Sequence, residues 1–380
     1  MFRLSAINKN IRTLNYARKV NRPFLYARTS FVKYQSALWR PHLKVPFTLS
    51  GLLSLQPTGD APSPWLALGV FIGLPTVLWA YKSLMMFIFQ RKIIYMGYAP
   101  LGARTEVLGQ DIRIPKGLHC REVCVAGEKN VKLYGIYVCR KESYPRSPKT
   151  ILVYLQGNAG NPLSRLPVFE RLLSDKPSDT AVLAIAPRSY WKSSSRRATE
   201  RGLLSDYRHV LQYTMNQYPD SNVVLYGHSL GGAIAVCLAA QLNALDHPSI
   251  KGLILENPFA SVPGMVKALY PERWLPYHYM GPLVFDKWDA LQEMQNMHEA
   301  SLLRKLSQNM LVLLSEKDEV VPTEMGRALF EAASDTPTVI PSPKPLMRRG
   351  ELVVIRGALH EDGWMRRQWV VVMDKYLASN

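Results

Sequence analysis

From about residue 100 onward, apolar positions fall into short runs separated by turn residues, and the spacing alternates between strand and helix. Glu122–Val125 and Leu133–Cys139, joined through Gly127-Glu128-Lys129-Asn130, read as an antiparallel hairpin. Thr150–Leu155 and Ala181–Ala186 are continuous apolar runs of the kind buried on both faces of a parallel sheet. Between them lie the turn Gln156–Asn161 and a helix opening at Pro167–Leu173. Glu200–Gln217 carries Leu203, Leu204, Tyr207, Val210, Leu211 and Thr214 on one side, the stripe of an amphipathic helix. The run Val223–Tyr226 and a small-residue helix over Ala233–Leu242 follow, then strands at Gly252–Leu255, Met310–Leu314 and Leu352–Ile355. Such alternation predicts an α/β fold built on a mostly parallel sheet.

Two stretches interrupt the rhythm. Residues 262–304 are rich in Trp, Tyr, Met and Pro and are too long for a simple crossover, so they are expected to form a helical cap over the sheet. Residues 333–349 are Pro-rich and charged, as in a surface loop.

Upstream the pattern changes. Trp65–Tyr81 contains no charge, and after Lys82 the apolar run resumes through Phe89. The roughly 20 apolar residues needed to cross a bilayer are present, so 65–89 is expected to be a transmembrane helix. Trp65, Trp79 and Tyr81 suit interfacial positions and Arg91-Lys92 close the segment. Pro75 is tolerated in such helices. Before it, residues 1–60 form a basic targeting or disordered segment. Leu4, Ile7, Ile11 and Leu14 take helical spacing opposite Lys9, Arg12 and Lys19, the composition of a mitochondrial targeting segment. The alternatives are a basic tail lying on an anionic membrane and residence in the endoplasmic reticulum membrane. The hydrolytic chemistry described below is expected in a domain covering 92–380.

The net charge of +18 is uneven: residues 1–59 hold ten Lys or Arg and no acid, leaving +8 on the rest. An excess confined to a tail without a binding motif argues against a nucleic-acid-binding protein. Four cysteines without metal-ligand spacing are expected to be reduced and structural, although a disulfide among Cys120, Cys124 and Cys139 stays open. No cofactor and no metal is expected.

The chemistry gathers at Val223–Gly232, where an apolar strand runs into Gly227-His228-Ser229-Leu230-Gly231 and a helix follows. That context makes Gly-x-Ser-x-Gly a nucleophile elbow, with Ser229 at the tip. A serine hydroxyl is a weak nucleophile and needs a base, itself oriented by a carboxylate. Of the eight histidines, His278, His298 and His360 lie far enough beyond Ser229, and only His360 follows a late strand. Asp318, where the Met310–Leu314 strand gives way to a loop, is the leading acid; Glu256 and Glu319 remain as alternatives. The oxyanion calls for the backbone N–H of Leu230 and one from the Gly157-Asn158 turn.

These motifs, with Arg91–Tyr95, Leu255–Phe259 and Lys317–Pro322, resemble the membrane-anchored α/β-hydrolases that include monoacylglycerol and lysophospholipid lipases and acyl-protein thioesterases. The resemblance covers about residues 90–375. It implies a triad of Ser229, Asp318 and His360, and a usually non-catalytic acid at Glu256. Two departures stand out. Gln156 occupies the place of a His, and Pro187-Arg188-Ser189-Tyr190-Trp191 replaces an Arg-Gly-Tyr-Gly turn, making the pocket edge bulkier. The expected activity is hydrolysis of an acyl ester or thioester of a lipid-like substrate at a bilayer. The alternative is an inactive scaffold of the same fold.

Overall fold

The computed structural model describes residues 63–174, 179–335 and 350–379. The expected targeting segment lies outside the described residues, as does most of the Pro-rich stretch 333–349. The chain divides into two compact units, Met1–Gly73 and Leu74–Asn380. The apolar run before the folded domain forms α1, Pro64–Ile94, with Pro75 inside it and Arg91 and Lys92 in its last turn. Among the described residues it is the one helix long and apolar enough to cross a membrane.

The second unit holds an eight-stranded sheet. Its strands are β1 (Leu118–Ala126), β2 (Lys132–Arg140), β3 (Thr150–Leu155), β4 (Thr180–Ile185), β5 (Asn222–His228), β6 (Ile250–Glu256), β7 (Met310–Ser315) and β8 (Glu351–Ile355). They lie in the order β1-β2-β4-β3-β5-β6-β7-β8. The first two pairings, β1 with β2 and β2 with β4, are antiparallel; the other five are parallel. The central strands are buried along their whole length, which is why they read as unbroken Val, Ile and Leu rather than as an alternation.

Helices α2 (Leu166–Leu173) and α9 (Arg367–Ala378) pack on one another. In a second group, α4 (Leu230–Ala240) is buried from Leu230 to Ala239 and touches α3 (Glu200–Gln217). Within the stretch expected to cap the sheet, α5 (Val262–Leu269) and two short 3₁₀ turns lead to Trp288. Residues further on form α6 (Ala290–Gln295) and α7 (Leu302–Ser307), which join the layer around α4. Helix α8 (Thr323–Asp335) packs against α6 and β7. Because the strands are parallel, their carboxyl ends lie along one edge of the sheet, and the loops that leave it converge there.

Candidate active site

The turn between β5 and α4 is sterically closed around Ser229. A Cβ on Gly231 would stand 1.9 Å from the Leu155 carbonyl oxygen, and one on Gly227 would stand 2.3 Å from that of Gly231. Both positions therefore require glycine, as the close passage of strand and helix predicts. Ser229 itself has φ 54° and ψ −118°, a conformation L-residues rarely adopt. Its N–H donates to the Glu256 carbonyl (2.9 Å), and its own carbonyl accepts from Gly232 N–H (2.9 Å). The side chain is held at the tip and the residue keeps 7 % exposure.

His360 sits in the loop after β8, and its Nδ1–H donates to the Asp318 carboxylate, 2.9 Å from Oδ1 and 2.8 Å from Oδ2. The same carboxylate accepts from the N–H groups of Val320 (2.9 Å) and Val321 (2.8 Å), so the loop after β7 fixes it. With Nδ1 engaged as donor, Nε2 carries the lone pair, the tautomer a general base requires. Burial alone would lower the His360 pKa. The Asp318 hydrogen bond and the negative charge of Glu361 outweigh it and raise the value above its ordinary 6.5.

The three acids left open by the sequence take three different places. Asp318 meets the His360 ring. Glu319 Oε2 accepts the His360 backbone N–H (3.0 Å). Glu256 is buried, accepting from Trp369 Nε1 (2.9 Å) and from the Tyr226 hydroxyl. Burial pushes its pKa up.

The His360 carbonyl accepts from Asn257 Nδ2 (2.9 Å) and His228 Nε2 (3.1 Å). Asn257, itself at φ 48°, also binds both Ser315 N–H and Ser315 Oγ, tying the end of β6 to β7 and to the histidine loop. Sequence reasoning gave Asn257 no role; its place after a buried strand is the only signal there. Burial pushes the His228 pKa down to about 3, so this ring stays neutral beside His360.

A Cβ on Gly157 would lie 3.6 Å from the Ser229 Cβ, so the turn after β3 stands directly beside the elbow. The Asn158 carbonyl accepts from Met96 N–H (2.7 Å) and from the Tyr190 hydroxyl (3.0 Å). That loop is thus clamped by the segment following α1 and by the altered Arg188–Trp191 turn. Neither contact was foreseen. Leu230, first residue of α4, has an N–H with no acceptor inside the helix. The Gln156 amide and His228 Nδ1 are buried without a partner among the described residues. Nitrogen and oxygen donors of His228, His360 and Glu361 lie within 4.8 Å of one another, with Glu361 in a 2.5 Å ion pair to Arg165.

Residues 150–287 match the alpha/beta hydrolase fold family. Protein bem46 of Schizosaccharomyces pombe is 30% identical over 251 residues, 64% of this chain and 74% of that protein. Lysophosphatidylserine lipase ABHD12 of Bos taurus is 29% identical over 194 residues, 50% of this chain and 46% of its own length. Among solved structures, an esterase of Pyrococcus furiosus has a TM-score of 0.50 at 18% identity, covering 69% of this chain and 91% of that one; this is a likeness of fold.

Proposed function

The chain belongs to the α/β-hydrolase family, and on that premise we propose that it is a membrane-tethered serine hydrolase that cleaves an acyl ester or thioester of a lipid-like substrate. The observation that carries the reading is the bond from His360 Nδ1 to Asp318, in a chain that also holds Ser229 at the tip of an elbow. Ser229 Oγ attacks the acyl carbonyl carbon while His360 Nε2 takes its proton. The oxyanion formed is held by the N–H groups of Leu230 and Asn158. The tetrahedral intermediate collapses, the bond to the leaving oxygen or sulfur breaks, and His360 returns the proton to it. Water, deprotonated by the same nitrogen, then attacks the acyl-serine; the bond from the acyl carbon to Ser229 Oγ breaks, His360 returns the proton to Oγ, and the carboxylic acid leaves. Asp318 holds the imidazole and stabilises its cation throughout.

A lipid-like substrate is supported by α1, by the aromatic-rich stretch 262–304 read as a cap, and by a relative named as a lysophosphatidylserine lipase. The tether is α1 crossing the bilayer within 65–89. Delivery to mitochondria rests on the acid-free residues 1–59, with the endoplasmic reticulum membrane as the alternative. Fluorophosphonate labelling of the full chain tests the chemistry: wild type labels and Ser229→Ala does not. Equal labelling of both removes Ser229 as nucleophile, and labelling of neither favours an inactive scaffold.

A further inference from the structure

Past α5 the chain makes a series of contacts to α1. It runs beside the second half of α1, and the contacts order it along that helix. Asp286 pairs with Arg91 at 2.7 Å. Gln90 donates to the Leu283 carbonyl (3.2 Å) and accepts from Phe285 N–H (2.8 Å). Further toward the amino end of α1, Lys82 Nζ stands 4.2 Å from the Tyr277 ring centre and 5.1 Å from that of Tyr270. Beyond it, the Trp274 and Trp79 rings lie 5.7 Å apart. From Arg91 to Trp79 the strap therefore follows about 18 Å of helix, at roughly 1.5 Å per residue.

Much of the strap's exposed surface is apolar, Trp274 and Phe285 staying open to solvent despite their ring contacts to α1; the exposed charges within 269–285 are Glu272 and Arg273. Leu269, Trp274, Tyr279, Leu283 and Phe285 are each more than half exposed, as are Tyr81, Leu84 and Ile88 on the adjoining helix. An exposed patch of this extent marks a surface made to be covered. What covers it follows from its continuity with a helix apolar enough to cross a membrane. Tyr and Trp are the residues that settle where hydrocarbon meets headgroups. Lys82, the one charge interrupting the apolar run, is directed at two tyrosine rings, which offer a cation partial compensation away from water.

We propose that residues 269–285 are seated in the bilayer, in the leaflet next to the hydrolase domain, so that this domain rests on the membrane through the strap as well as through α1. The proposal builds on the reading of α1 as a membrane span and adds a second lipid-contacting element. The strap is joined to the loop after β6, which carries Asn257, through α5.

The test uses the full chain reconstituted into phosphatidylcholine vesicles that contain a phosphatidylcholine with a diazirine in its acyl chain. The protein is first treated with a fluorophosphonate to keep the probe out of the Ser229 site. After irradiation, adducts are mapped by peptide mass spectrometry. Adducts are expected on 269–285 as well as on 65–89, with the exposed loop around Leu245 as the aqueous background. In Leu283→Glu/Phe285→Glu the strap adducts should fall to that background while those on 65–89 persist. Adducts confined to 65–89 in wild type overturn the strap proposal and leave the tether standing. Absence of adducts from both segments overturns the tether itself.

Discussion

Two turns at the edge of the sheet place non-glycine residues at positive φ, and they are held there by different means. In the elbow, Ser229 takes φ 54° because the backbone around it has no room for an alternative: Gly227 and Gly231 lie against other backbone atoms. In the turn after β4, Ser189 (φ 74°) and Trp191 (φ 40°) stand where the resemblance places glycines. Here side chains hold the conformation. Trp191 is fully buried and donates Nε1 to the Glu106 carbonyl (2.9 Å). Arg104 donates to the Ser189 carbonyl (3.1 Å). Arg188 forms a two-pronged ion pair with the buried Asp206. The bulkier pocket edge expected from the sequence is therefore one in which the large side chains point into the interior. Steric exclusion maintains the first turn, and added packing and hydrogen bonding maintain the second.

The largest effect should come from Gly231→Ala. Its Cβ meets the Leu155 carbonyl rather than a side chain that can move, so folded protein should be lost, as measured by yield of the monodisperse chain in detergent. Near-normal recovery would mean that the elbow relaxes more easily than its geometry implies. Trp191→Ala should leave the fold intact but cost about 3–5 kcal/mol, the usual penalty for emptying a large aromatic site, read by chemical denaturation.

Acidification separates the two turns by chemistry. If His360 is the proposed base, hydrolysis needs it neutral, and since its pKa is raised, activity should fall about tenfold per pH unit below a midpoint above 6.5. Stability should run the other way. The protonated His360–Asp318 pair stabilises the folded state fully below the unfolded value of 6.5, and that contribution is lost as pH rises through the higher folded value. Arg188, whose pKa the Asp206 hydrogen bond raises above the ordinary guanidinium value, stays charged throughout this range. A rate profile with its midpoint below 6.5 would contradict this account of His360.

The smallest effects are the relief of strain. Ser229→Gly should abolish labelling yet raise unfolding stability by about 1 kcal/mol, and Ser189→Gly should raise it by about 0.5–1 kcal/mol without abolishing labelling. If Ser189→Gly destabilises instead, its hydroxyl or the flexibility added to the unfolded chain matters more than φ.

What could be read in the sequence follows the same division. Strands β3 to β7 were legible because burial along most of their length leaves runs of Val, Ile and Leu, β8 because its half-buried residues are still a Leu-Val-Val-Ile run, and the elbow because its glycines are sterically required. Ser229, Asp318 and His360 were readable as an ordered set. Asp318 led the three acids because it stands where the Met310–Leu314 strand gives way to a loop, but position alone left Glu256 and Glu319 open. Only the fold turns Glu256 toward Tyr226 and Trp369. Asn257, Tyr190 and Met96 escaped notice because they act on backbone carbonyls of other loops, a relation with no compositional trace. Helices α8 and α9 were also unread: the first runs into the Pro-rich stretch, and the second was not separated from the histidine loop before it. The strap beside α1 depends on contacts nearly two hundred residues apart.

Met96, two residues past the end of α1, donates to the Asn158 carbonyl, while the preceding Tyr95 hydroxyl accepts from Trp288 Nε1 (2.9 Å). The last turn of the anchor and the first residues after it are therefore part of the scaffold that shapes the site. A protease cutting just beyond residue 96 would do more than separate α1 from the sheet: it would remove one of the two clamps on Asn158.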